Sequence, residues 1–184
     1  MNAISFLIST LFNLYIMAVI MRIWLQAARA DFYNPFSQFV VKATQPVVAP
    51  LRRMIPSIGS IDLATVLFAY VLCILKFVLL VFVATGSFSF QPYYFYISLL
   101  ALIKAAGGLL FWVLLIRAIM SWVSQGRSPV EYVFMQITEP FLAPIRRILP
   151  DLGGIDLSVL VLFILLQFVN ILIGNLIGPI WGQL

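Results

Sequence analysis

The sequence predicts an all-α membrane protein in which four transmembrane helices form two tandem repeats of parallel topology, each with short amphipathic helices on the cytoplasmic side. Composition, span length and self-similarity predict it. Of 184 residues, 64% are hydrophobic and 9% charged, and the mean hydropathy is +1.12. A water-soluble domain with so few charges could not cover its surface with polar groups. Four apolar runs reach the roughly 20 residues that a helix needs to cross the hydrocarbon layer. The segments 44–63 and 138–157 share 11 of 20 residues.

The spans are expected over about 4–25, 63–85, 97–122 and 157–180. Unpaired backbone groups are costly in lipid, and the runs lack the alternation of barrel strands, so each should be helical. Ala28, Arg29 and Ala30 mimic a small-x-small cleavage site, yet no basic residue precedes the first run, which is too long for a signal core. That run is expected to be retained.

Arginines and lysines set the orientation. Arg29, Lys42, Arg52 and Arg53 lie between spans one and two, and Arg127, Arg146 and Arg147 between spans three and four. The hairpin 86–96 and the tail 179–184 contain none. The positive-inside rule therefore puts both long connections in the cytoplasm and both termini outside. The aromatic residues of the uncharged hairpin, among them Phe88, Phe90 and Tyr93, should lie flat near the headgroups.

Each repeat unit, 1–90 and 91–184, reads as span, cytoplasmic segment, span. An even number of crossings gives both units one orientation, so a pseudo-symmetry axis would run along the membrane normal. In the second copy Ser128, Pro129 and Glu131 read as a capping box before apolar residues at helical spacing, and Asn34 and Pro35 begin the same design in the first. A short amphipathic helix should follow on the inner leaflet. Pro46, Pro50 and Pro56, with Pro140, Pro144 and Pro150, should then limit the chain to short bent pieces. Gly59 and Gly153 break the chain, and Asp62 and Asp156 are placed to cap the returning spans.

Two copies of A-P-[LI]-R-R-x-[IL]-P-x-x-G-x-I-D-L between hydrophobic spans resemble the YggT family, called YlmG in Gram-positive bacteria and chloroplasts. The match covers nearly the whole chain and is similar to the double-repeat Gram-negative inner-membrane form. The resemblance implies association with osmotic and potassium homeostasis, with division and nucleoid or chloroplast organisation, and with cofactor attachment during cytochrome assembly. It brings no catalytic residues.

Polar residues inside the spans are the second candidate site. Lys76 and Lys104 could share a depth, with Lys104 roughly 10 Å from the outer side. Asn13, Gln167 and Asn170 fall at three- and four-residue spacings that let these faces converge on one pocket. Intramembrane lysines read either as a ligand site or as snorkelling chains beside amides that hold helices together. All six acidic residues belong to the connections or their edges, which opposes a bare cation pathway and favours an anion or lipid headgroup. Gly174 and Gly178 form a small-residue face that would admit a neighbouring helix, in this chain or in a homo-oligomer.

Arg52, Arg53, Arg146 and Arg147 read as topological anchors or as a paired docking surface for anionic lipids or membrane-protein partners, each near-surface basic residue contributing about 1 kcal/mol. Arg22 with Asp62, and Arg117 with Asp156, read as ion pairs or as independent features. Histidine is absent and Cys73 is the sole cysteine, so no Cys/His zinc site, haem ligand or histidine base is available. No cofactor, metal or nucleic-acid partner is expected. The leading expectation is a non-enzymatic membrane scaffold or assembly factor, and the alternative a transporter or channel component in osmotic balance.

Overall fold

A computed structural model describes residues 2–123, 128–149 and 157–184. The elements are α1 (Ala3–Ala27), α2 (Pro35–Met54), α3 (Leu63–Thr85), α4 (Tyr93–Val123), α5 (Pro129–Arg146), α6 (Leu157–Ile177) and α7 (Pro179–Gln183). Among the described residues there is no strand, and α1, α3, α4 and α6 are the four helices long and apolar enough to cross a membrane. The protein is an all-α membrane protein. Asp156, Gly153, Pro150 and Arg127 lie outside the described residues.

Helices α1, α3 and α4 pack together around Ile16, Val19, Ile20, Ala69, Cys73, Leu109 and Val113, all buried. Helix α6 packs against α4, α5 and α7. It joins α4 through Leu110, Leu114, Leu142 and Leu162, with the Phe111 and Phe163 rings 5.0 Å apart. Beyond Leu162 no residue of α6 is buried, so the rest of this helix stands away from the bundle.

Helices α2 and α5 are longer than the short pieces expected: 20 and 18 residues, running straight through Pro46 and Pro50 and through Pro140 and Pro144. All four prolines are exposed, so the turns that lack an N–H lie on the face turned away from the bundle. The Tyr15 hydroxyl also donates to the Ala43 carbonyl (3.3 Å) and the Arg22 guanidinium to that of Val41 (3.3 Å), hydrogen-bonding the backbone just before Pro46. The opposite faces are buried: Ser37, Val40, Thr44 and Val48 in α2, and Glu131, Phe134, Thr138 and Leu142 in α5. The two helices meet at their starts, where Phe36 and Phe134 are in edge contact at 5.1 Å and the Asn34 amide donates to the Pro129 carbonyl (2.6 Å).

Asn34 caps α2 by accepting from the Phe36 N–H (3.0 Å), whereas Ser128 makes no side-chain cap bond, so its expected capping box is not completed. Gly59 at φ +61° turns the chain so that Ile58 and Ile61 exchange backbone bonds of 3.0 and 3.1 Å, a reversal that favours glycine. Asp62 caps nothing with its side chain. Its buried carboxylate accepts from the Thr65 hydroxyl and pairs with Arg52 at 2.6 Å. Arg22 takes different partners, Thr44 (2.7 Å) and Gln45 (2.6 Å), so the expected Arg22–Asp62 pair is not the arrangement found.

The connection after α3 packs in part on the helices it joins. Phe88 stacks on Phe82 at 4.3 Å, and the Tyr70 hydroxyl donates to the Phe95 carbonyl (2.9 Å), drawing the start of α4 back along α3. Helix α4 accordingly opens at Tyr93, inside the segment expected as loop, and Lys104 lies 11 residues along it, roughly 16 Å by helical rise.

Burial pushes the Asp62 carboxyl up, but the Thr65 hydroxyl and the Arg52 guanidinium outweigh it and hold the group below its ordinary range. Asp62→Asn should lower stability in detergent by about 1.5 kcal/mol, the lower end for charged hydrogen bonds, because the Arg52 side chain is 37% exposed and solvent-screened. A lowered carboxyl contributes fully above its unfolded value near 3.9 and is lost as pH falls through the folded one. Thermal melts of wild type and Asp62→Asn should therefore differ at neutral pH and converge below about pH 4.

Candidate functional site

Two assemblies of polar groups stand out. The first is at the ends of α2 and α5. Arg52 and Arg53 occupy the last turn of α2, and Arg146 ends α5 beside Arg147, where cations complement the helix dipole. The arginines of each pair divide. Arg52 bonds Asp62 and the Gln26 amide oxygen, and Arg146 bonds both carboxylate oxygens of Glu139 at 2.9 and 3.0 Å. Arg53 and Arg147 are exposed and hold no ion pair among the described residues. The four guanidinium groups expected to act alike are thus two structural ties and two surface charges.

The second assembly is a cavity of about 430 Å³ at mid-span, lined by Asn13, Lys76, Lys104, Gln167 and Asn170 together with apolar side chains of α4 and α6. Lys76, 7% exposed, donates to the Asn13 amide oxygen (3.0 Å), and its ammonium lies 5.2 Å from the centre of the Phe77 ring. Lys104 donates to the Trp181 carbonyl and stands 5.5 Å from the centre of that indole ring. The indole N–H in turn donates to the Asn170 amide oxygen (2.9 Å). The five polar residues found from helical spacing therefore surround one space, in which each ammonium has an acceptor on the protein.

Trp181 escaped the sequence reading. It belongs to α7, which returns the chain over α6 after Gly178, at φ +82°, ends that helix. The signal was Gly178-Pro179, a helix stop followed by a residue suited to a new first turn. The fourth span accordingly ends at Ile177, not Ile180. A Cβ on Gly174 would meet the Trp181 ring at 3.2 Å. The small-residue face expected to admit another helix is used, at Gly174, by the chain's own tail. Thr44, Thr138 and Gln45 were also missed as partners of Arg22 and Arg117, although the T-x-P that follows each amphipathic stretch marked the place.

These features define an all-α membrane protein with four helices long and apolar enough to cross the bilayer and two further long helices packed against them. The CCB3/YggT family model matches residues 1–83 and again 96–177, and the chain belongs to that family. It is 76% identical over 185 residues to an uncharacterized protein in the proC 3′ region of Vibrio alginolyticus, covering all of both chains. It is 52% identical to uncharacterized protein YggT of Escherichia coli K12, again over the whole of both. A Pseudomonas aeruginosa protein, uncharacterized protein PA0392, is 38% identical over 99% of this chain and 93% of its own. No solved structure matches.

Gly174→Leu should drive Trp181 from its seat, costing about 1–3 kcal/mol as overpacking does. Because Trp181 holds both Lys104 and Asn170, its fluorescence should shift to the red in a chain whose other three tryptophans are phenylalanine.

Proposed function

We propose that this chain is a non-enzymatic scaffold or assembly factor of the bacterial inner membrane, acting through the two Pro/Arg elements that end α2 and α5. The observation that carries the reading is the division of the arginine pairs. Arg52 is spent on an ion pair that ties the end of α2 to the entrance of α3, and Arg146 pairs with Glu139 along the surface of α5, which leaves Arg53 and Arg147 exposed without an ion pair among the described residues. Rigid, solvent-facing guanidinium groups suit the recognition of carboxylate and phosphate. The amphipathic faces of α2 and α5 would rest on anionic lipids of the inner leaflet while Arg53 and Arg147 engage acidic partner proteins. Absence of histidine and of an acidic dyad within a span agrees with a role outside catalysis.

In this reading residues 1–90 and 91–184 are two repeat units of one orientation, the basic connections face the cytoplasm, and both termini are periplasmic. With Cys73→Ser as background, Gln91→Cys should react with an impermeant maleimide in spheroplasts, and Ser57→Cys only after permeabilisation. The opposite labelling pattern overturns the orientation. Crosslinking in intact cells should capture partners that the Arg53→Gln/Arg147→Gln chain loses at equal insertion and abundance. An unchanged set of partners removes the scaffold reading.

The mid-span cavity favours a second reading, a transporter or channel component in osmotic or potassium balance. It requires solute flux in liposomes that Lys76→Leu plus Lys104→Leu alters; a flux-free preparation of folded protein counts against it.

A further inference from the structure

We propose that the cavity between α4 and α6 binds an anionic amphiphile, with an acidic headgroup held by Lys76 and Lys104 and a hydrocarbon chain leaving through the gap between the two helices. The charge argument comes first. Both lysines line the cavity, neither has an ion pair among the described residues, and every aspartate and glutamate of the chain lies outside the four spans. Lys76 is buried and Lys104 half-buried, both within the spans, where an ammonium group is costly unless an opposite charge joins it. Each ammonium has three donors, and each makes one hydrogen bond to the protein, to Asn13 and to the Trp181 carbonyl. The remaining donors suit a phosphate or carboxylate. Gln167, with no side-chain partner among the described residues, adds an amide at the same wall.

Shape selects an amphiphile over a small free anion. Between the polar groups the lining is apolar, with Met17, Ile103, Phe111 and Ile173 facing the space. Its volume of about 430 Å³ falls among ligand sites. Helix α6 is fastened to α4 at the Leu114–Leu162 end and buries nothing beyond Leu162, so the cavity opens sideways where hydrocarbon would surround the protein. A Cβ at Gly107 or Gly108 would meet no atom within 4 Å, so the α4 wall is held open by residues that contribute no side chain.

The test uses the full chain with Trp24, Trp112 and Trp122 changed to phenylalanine, leaving Trp181 in the cavity wall as the sole reporter. It is reconstituted in phosphatidylcholine vesicles containing either phosphatidylglycerol or phosphatidylcholine with brominated chains, which quench tryptophan on contact. Half-quenching should need about tenfold less brominated phosphatidylglycerol than brominated phosphatidylcholine, the ratio that 1.4 kcal/mol confers. That preference should disappear in Lys76→Gln/Lys104→Gln and in Gly108→Leu, which fills the space with both lysines kept, so a lysine variant that misfolds leaves the question decided by the glycine. It should persist in Arg53→Gln/Arg147→Gln, which separates the cavity from the surface arginines, and in added inorganic phosphate. Equal quenching by the two lipids overturns the proposal. So does a preference that survives Gly108→Leu, or one that inorganic phosphate abolishes, which would assign the site to a dissolved anion.

Discussion

A guanidinium buried at the end of a span has to find its hydrogen bonds inside the protein, and this demand organises the molecule. Arg22 is 3% exposed and meets it at its two terminal nitrogens with Thr44, Gln45 and the Val41 carbonyl, all on α2, while its Nε has no partner among the described residues. Arg117 binds Thr138 of α5 in the same manner. Each amphipathic helix is therefore fixed at its middle to the span before it, and α2 is fixed again at its end, where Arg52 joins Asp62 at the entrance of α3. With those ties made, Val48 and Leu142 are driven fully into the interior, and the exposed faces carry the prolines and the outward arginines.

The prolines show how a local rule yields to its surroundings. A proline inside a helix removes a hydrogen bond and costs about 3 kcal/mol in isolation. Here the proline turns face away from the bundle, and side chains of α1 donate to the carbonyls ahead of Pro46. The helix gains a buried face extending to Val48. Those bonds reach Val41 and Ala43, not the Lys42 carbonyl that Pro46 leaves unpaired, so burial of the opposite face is what offsets the loss, and the element expected as short pieces is one continuous helix.

Much of the architecture was legible because hydrophobic length and helical period are local properties. The span 63–85 coincides with α3, and the polar faces of Asn13, Lys76, Lys104, Gln167 and Asn170 converge as their spacing required. What the sequence did not disclose depends on contacts between distant segments. No periodicity reveals that Trp181 folds back onto Gly174, that Arg52 and not the helix N-terminus takes the Asp62 carboxylate, or that Tyr70 draws in the start of α4. The role of Arg52 was hidden for the same reason, since Gln26 becomes its partner only after the chain has turned, whereas Glu139 and Arg146 stand two turns apart on one helix, a local spacing that the sequence already held.

Helix α4 has 31 residues, so it is about 46 Å long by helical rise, against a hydrocarbon layer of roughly 30 Å. A rod that exceeds its slab leans, bends, thickens the slab or projects from it, and packing against its neighbours decides among these. Since α6 meets α4 at the leucines around Leu162 and again through Trp181, which binds both Lys104 and Asn170, a change in slab thickness would load two joints at once, and the space enclosed between them would take up the strain.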